Sequence, residues 1–245
     1  MWDTLCVEEF LSLIKNSNIV ITGTSSGIGY QLVKKLLINN NKIWGCSRKG
    51  NKVNKKNYFH SKVDLSNSIE IESWVKKIAK DTNKRIDIFI SNAAIFKRQL
   101  NPLETFSSIS QTININLVAS MLLTNMISKL MIQNKKGMII FFSSVATIVN
   151  EIGSSAYASS KSGVETFSQI IKKELEKFNV KVATLRILYF PTKLSGELNT
   201  KEIKVLKKKF NTNKFGTIDK VLNQINKLNS LKKIPNKNLF YDKTK

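Results

Sequence analysis

The chain has 245 residues, 42% hydrophobic and 23% charged, and carries a formal net charge of +23. That length supports one large α/β domain with a sizeable core. The charge invites a nucleic-acid reading, but the excess is lysine, with arginine only at Arg48, Arg85, Arg98 and Arg186; a nucleic-acid groove favours Arg with interleaved aromatics. No specific nucleic-acid partner is expected, only salt-sensitive attraction to polyanions. Cys6 and Cys46 lie far apart, which gives no disulfide framework and no metal spacing, and suits a reducing compartment. The N-terminus is acidic early and lacks the layout of a signal peptide, and the apolar runs read as too short or interrupted to span a bilayer. The expectation is a cytoplasmic protein with no membrane contact and no metal.

Residues 1–17 read as an N-terminal extension, either a short helix or an ordered tail, through Leu5, Phe10, Leu11, Leu13 and Ile14. Asn18–Thr22 is a short β-branched run and reads as a buried parallel strand. Gly23-Thr24-Ser25-Ser26-Gly27-Ile28-Gly29 follows, and then helical spacing from Tyr30 to Leu37. Strand, glycine-rich turn and helix is the context of a phosphate-binding loop. Gly23 permits the turn, Gly27 lets the backbone approach a pyrophosphate, and Gly29 lets helix and strand pack closely. The helix N-terminus supplies unpaired N–H groups. Gly23, Ser25, Ser26, Gly27, Ile28 and Gly29 are therefore the first candidates for holding a dinucleotide.

Lys42–Cys46 reads as the second strand, and its tip is Ser47-Arg48-Lys49. An acid there would bind the adenosine ribose hydroxyls and select NAD. None is present, whereas Arg48 can grip a 2′-phosphate bidentately with Ser47 beside it, so NADP(H) is favoured over NAD(H). Tyr58–Val63 reads as the third strand and ends at Asp64-Leu65. His60 lies within it and reads as core or solvated. Ile86–Ile90 reads as the fourth strand, followed by Ser91-Asn92-Ala93-Ala94. A polar connection then leads to a long helix from about residue 109 to 133.

Met138–Phe142 reads as a buried strand ending at Ser143-Ser144. Tyr157 and Lys161 follow on a helix from about 157 to 177, where positions four apart share a face. A phenol beside a fixed cation is a tunable acid, and a serine at a neighbouring strand end can bond the same reacting oxygen. Ser143 is the alternative serine, but strand alternation turns it the other way. Val180–Ile187 reads as the sixth strand. Beyond residue 195 the chain is Lys-rich, with helical spacing near 201–210 and 217–231 and a last strand at 238–241.

Thr-Gly-x-x-x-Gly-x-Gly, with Ser144, Tyr157 and Lys161 spaced as they are, resembles the short-chain dehydrogenase/reductase family in its compact single-domain branch. The resemblance covers about residues 17–191. It implies an α/β, Rossmann-type doubly wound parallel sheet with helices on both faces, one domain over residues 18–245. It implies a proton-relay set of Asn116, Ser144, Tyr157 and Lys161, with Asn116 holding a water that links Lys161 to solvent. It places Asp64 and Leu65 at the adenine and Asn92 and Ala93 under the cofactor. Lys161 and Tyr157 would touch the nicotinamide end, as would Pro191 and Thr192. Three positions depart from the family pattern: Ser91 and Ala94 in the Asn-Asn-Ala-Gly element, and Thr192 after Pro191. The implied activity is reversible hydride transfer between NADP(H) and a small carbonyl or alcohol, in a homodimer or homotetramer. Bringing a phenol from about 10 to 7 takes about 4 kcal/mol. An ammonium about 4 Å away at an effective dielectric of 20 supplies on the order of 4 kcal/mol. The alternative is a non-catalytic NADP-binding sensor on the same fold, which would need the glycine loop but not the relay.

Overall fold

The structure, a computed structural model, describes residues 14–50, 52–187, 190, 204, 208, 216–234 and 239–240. In chain order it contains β1 (Asn18–Thr22), α1 (Gly27–Leu36), β2 (Lys42–Ser47), β3 (Tyr58–Lys62), α2 (Ser68–Asp81) and β4 (Ile88–Ser91). Then come α3 (Phe106–Ile113), a π-helical segment (Asn114–Val118), α4 (Ala119–Gln133), β5 (Gly137–Ser144) and the one-turn α5 (Ala146–Val149). The last elements are α6 (Ser155–Glu176), β6 (Val180–Ile187), α7 (Ile218–Ser230) and β7 (Leu239–Phe240).

The strands form one seven-stranded sheet in the order β3-β2-β1-β4-β5-β6-β7, with every pairing parallel. Its central strands are continuous apolar runs because both faces are covered. Alternate residues feed two separate cores. Ile19, Ile21, Ile88, Ile90, Met138 and Ile140 pack with Leu32, Val33 and Leu36 of α1 and Val221, Leu222 and Ile225 of α7. Val20, Phe89, Ile139 and Phe141 pack with Ile71, Trp74 and Ile78 of α2, Leu123 and Ile127 of α4, and Val164 of α6. Helices thus lie on both faces, as the strand runs imply. β1 has β2 on one side and β4 on the other, so the chain reverses its direction of winding between β1 and β4. The crevice beyond the carboxyl ends of strands at such a point is where doubly wound sheets bind ligands.

Three expectations change. The helix read over about 109–133 starts at Phe106, where Thr105 caps it by accepting from Ser108 N. A π-helical segment then interrupts it at Asn114–Val118. The span Phe106–Gln133 is also long and apolar enough to cross a membrane by length and composition. Half of its most apolar stretch is buried inside the protein, so its apolarity is used by the core. Finally, β5 runs to Ser144 itself, paired with Ile187 of β6. The helix read near 201–210 lies outside the described residues except for Lys204 and Lys208, and the N-terminal segment does so up to residue 13.

Candidate active site

The site starts at the loop after β1. Gly23 and Gly27 adopt φ of +73° and +59°, and the N–H groups of Gly23 and Thr24 both donate to Cys46 O, at 2.8 and 3.1 Å. Gly29 packs α1 onto the loop so closely that a Cβ there would fall on Gly23 O and on Asn92 Nδ2. Asn92, just past β4, donates through Nδ2 to Thr22 O (2.8 Å) and Gly23 O (3.2 Å), so it holds the loop from below. The N-cap of α1 is Ser26, whose side chain makes no cap hydrogen bond, and no acid lies in the first turn. The first N–H groups of the helix therefore face the cavity without a side-chain acceptor, the arrangement that suits a phosphate. Ala94 has an ordinary backbone conformation among the described residues, so its Cβ is accommodated. The other departure, Ser91, pairs its hydroxyl with Ser120 Oγ at 2.9 Å.

One cavity of about 820 Å³ runs from this loop to Ser144, Tyr157 and Lys161, towards the upper end of the range for small-molecule sites. At one end it is lined by Ser25, Ser26, Ile28, Ser47, Arg48, Asp64 and Leu65, and at the other by Ser144, Tyr157 and Lys161, with Ala93 between. Asp64 accepts from Ser66 N (2.9 Å) and Ser66 Oγ (2.7 Å). Those two bonds, with the nearby charge of Arg48, hold its carboxyl below the usual range. The cap of α2 is instead Asn67, which accepts from Ile69 N and Glu70 N, so Asp64 shapes the turn before the helix.

At the other end, Ser143 and Ser144 point apart as strand alternation requires. Ser143 Oγ donates to Glu165 Oε1 at 2.6 Å, behind the site. Ser144 and Tyr157 both line the cavity, and Ser144 Oγ accepts from Ala146 N at 3.2 Å. Lys161, one turn along α6, is 4% exposed and donates to Phe142 O at 2.8 Å. Burial pulls its ammonium down to about 8. Burial pushes the Tyr157 phenol above its ordinary value, opposed by the Ser144 hydroxyl. The expected depression of the phenol by Lys161 is therefore not present in the ligand-free protein. The ammonium lies 6.0 Å from the ring centroid, and desolvation of the phenol is the dominant effect.

Asn116 also differs from expectation. It is 1% exposed, lies behind the cavity wall, and has its amide committed. Oδ1 accepts from Ile95 N (2.8 Å), while Nδ2 donates to Ile95 O (3.0 Å) and Ser160 Oγ (3.0 Å). Ser160 Oγ in turn donates to Tyr157 O at 2.7 Å. Asn116 thus braces the connection after β4 against the backbone of α6, rather than presenting its side chain to a water. Pro191 and Thr192 lie outside the described residues.

Several lining residues were not read from the sequence. Phe96 packs on Tyr157 with ring centroids 4.8 Å apart. Arg98 and Glu151 form an ion pair between the two loops flanking the mouth, and Gln99 N donates to Gly153 O at 3.0 Å. Val145, Val149 and Phe190 add apolar wall. No motif marks these positions, because each contact joins loops far apart in sequence. Among the described residues, no group of three or more His, Cys, Asp or Glu side chains is placed to hold a metal.

Comparison with known proteins agrees with this geometry. The family model described as short chain dehydrogenase matches residues 17–203. A 3-oxoacyl-[acyl-carrier-protein] reductase of Buchnera aphidicola subsp. Baizongia pistaciae is 28% identical over 209 residues, covering 82% of this chain and 85% of its own. A 3-ketodihydrosphingosine reductase of Bacteroides thetaiotaomicron is 28% identical over 185 residues, covering 76% and 68%. The crystal structure of a short chain dehydrogenase from Leptospira borgpetersenii serovar Hardjo-bovis with bound NAD+ superposes with a TM-score of 0.84 at 18% identity, covering 95% of this chain and 94% of that one. The chain belongs to the short chain dehydrogenase family and is an oxidoreductase acting between CH–OH and C=O.

Proposed function

We propose that this oxidoreductase uses NADP(H) and interconverts a small carbonyl compound and its alcohol, with Tyr157 as the proton donor and acceptor. The observation that carries the reading is that Ser144, Tyr157 and Lys161 line the same cavity as the glycine loop and Arg48. The residues present fit a dinucleotide. The uncapped N-terminus of α1 and the close-packed glycines suit the pyrophosphate, and Ser47 and Arg48 suit a 2′-phosphate. When bound, the nicotinamide cofactor supplies or accepts the hydride.

The chain's own residues handle the proton. Because burial raises the Tyr157 phenol, it is protonated at neutral pH and stands ready as an acid for reduction. Its proton passes to the carbonyl oxygen as that oxygen becomes an alcohol. Ser144 donates to the same oxygen and orients it while charge develops. The phenolate left on Tyr157 is stabilised by Lys161. Phe96 covers one side of the phenol and limits water.

The curated relatives named above act on 3-oxoacyl and 3-keto lipid-type compounds by name. The apolar wall of Phe96, Val145, Val149 and Phe190 suits an acyl chain, so a 3-oxoacyl thioester is the first substrate class to try. Exposed Val118, Leu122 and Ile170, on the π segment, α4 and α6, support assembly into a homodimer or homotetramer. The test is fluorescence titration with NADPH and NADH, then NADPH oxidation against 3-oxoacyl thioesters, sugar ketones and aromatic ketones. Tight NADPH binding with thioester turnover supports the whole reading. NADPH binding without turnover of any carbonyl would favour the sensor, and binding of neither nucleotide would overturn the cofactor assignment.

A further inference from the structure

His60, the single histidine of the chain, stands on β3, the edge strand outside the cavity. Residues 58 and 60 share one face of that strand; Tyr58 reaches across β2 to the glycine loop, and His60 reaches the tip of β2. Tyr58 passes over Gly45, where a Cβ would lie 2.5 Å from its hydroxyl. It donates to the buried Thr24 Oγ1 of the glycine loop at 2.8 Å. His60 Nε2 lies 2.8 Å from Ser47 Oγ, at the tip of β2 where the cavity is lined by Ser47 and Arg48.

The protons at Ser47 can be counted. Ser47 Oγ is also 2.6 Å from Lys49 O. A carbonyl oxygen only accepts, and a hydroxyl carries one proton. Ser47 therefore donates to Lys49 O and accepts from His60, so the His60 proton sits on Nε2. Burial and the nearby Lys62 lower the His60 pKa below its ordinary value, so the neutral Nε2–H form is the one that donates at pH 7.

We propose that His60 is a specificity-determining positioning residue for the adenosine 2′-phosphate, acting through Ser47. Its Nε2–H satisfies Ser47 as an acceptor, which leaves the one hydroxyl proton able to swing from Lys49 O to a phosphate oxygen beside Arg48. An acceptor at position 60 would take that proton and turn a lone pair towards the anion. This rests on the reading of the Ser47–Arg48 tip as a 2′-phosphate site. The ligand class it selects is a 2′-phosphorylated dinucleotide over its unphosphorylated counterpart.

The experiment is fluorescence titration of the full chain, His60→Leu and His60→Gln with NADPH and with NADH. His60→Leu should weaken NADPH about fivefold, the loss of one hydrogen bond, and leave NADH within about twofold. His60→Gln, whose amide N–H can donate to Ser47, should restore NADPH to within about twofold of the parent. Equal weakening of both nucleotides by His60→Leu would show a merely structural role and overturn the inference. So would a parent that prefers NADPH and a His60→Leu variant with the same preference. A parent that binds NADPH no better than NADH would overturn the 2′-phosphate reading itself, and the inference with it.

Discussion

Tyr157 and Lys161 stand one helical turn apart, yet burial shifts them in opposite directions: the phenol up and the ammonium down to about 8. Both shifts oppose charge: the phenol holds its proton more firmly and the ammonium gives its own up more readily. Tyr157→Phe removes the proposed acid and keeps the ring against Phe96. It should lower turnover at least about 100-fold with NADPH affinity little changed, as single-turnover kinetics and titration will show; full activity would remove Tyr157 from the mechanism. On the proposed mechanism, Lys161 sets the pH dependence. Its cation is present below about 8 and lost above it, so reductive kcat/KM should be level on the acid side and fall as pH rises through that value. The sign for stability is separate. An unfolded lysine keeps its proton to about 10.4, so between these values the unfolded chain binds more protons. Burial of Lys161 therefore costs stability at neutral pH, and the cost shrinks as pH rises from about 8. Lys161→Met should leave the melting temperature at pH 7 at or above that of the parent while abolishing turnover.

The π-helical segment Asn114–Val118 is what places Asn116 against both Ile95 and Ser160. Such single-turn interruptions re-aim a side chain within a long helix. Here the re-aimed amide bridges the connection after β4 and the turn of α6 that bears Tyr157. Asn116→Leu would leave Ile95 N and Ile95 O without their partner at a part-buried position. A destabilisation of about 1–3 kcal/mol is expected, measured as a shift of the urea midpoint at constant m. Turnover should fall together with a loosened Tyr157, whereas NADPH affinity, proposed to be set at the far end of the cavity, should hold. A variant as stable as the parent would remove this bracing role. The Arg98–Glu151 pair joins two other elements across the mouth. Both partners are part-exposed, so its contribution is to loop geometry more than to stability.

For the molecule as a whole, winding in opposite directions from β1 and β4 puts the glycine loop, Asn92 and Ser144 at one edge of the sheet. The glycine loop and the Ser144, Tyr157 and Lys161 cluster then share a single cavity. The net charge of +23 is a property of the surface and is separate from that cavity. It should produce binding to random-sequence DNA or heparin near 50 mM salt that is lost by roughly 200 mM, with no sequence preference. Fluorescence polarisation on unrelated duplexes will check this; a duplex preferred at physiological salt would reopen the nucleic-acid reading.

The glycine loop, the strands and the Ser144, Tyr157, Lys161 spacing were legible because their signals are local. A positive-φ turn needs its glycines within a few residues of a strand, and helix and strand periods fix which neighbours share a face. Family membership and the parallel sheet follow from those same short patterns. His60, Phe96 and the Arg98–Glu151 pair carry no such signal, since their partners lie 13 to 61 positions away and meet only when loops and strands are packed. Asn116 was found by its motif, but its bonds were not, because a π-helical turn changes which way a residue faces without changing the sequence period. The direction of the Tyr157 shift was likewise invisible: a spacing of four brings the charges near, but how much water remains around the phenol depends on every element that closes over it.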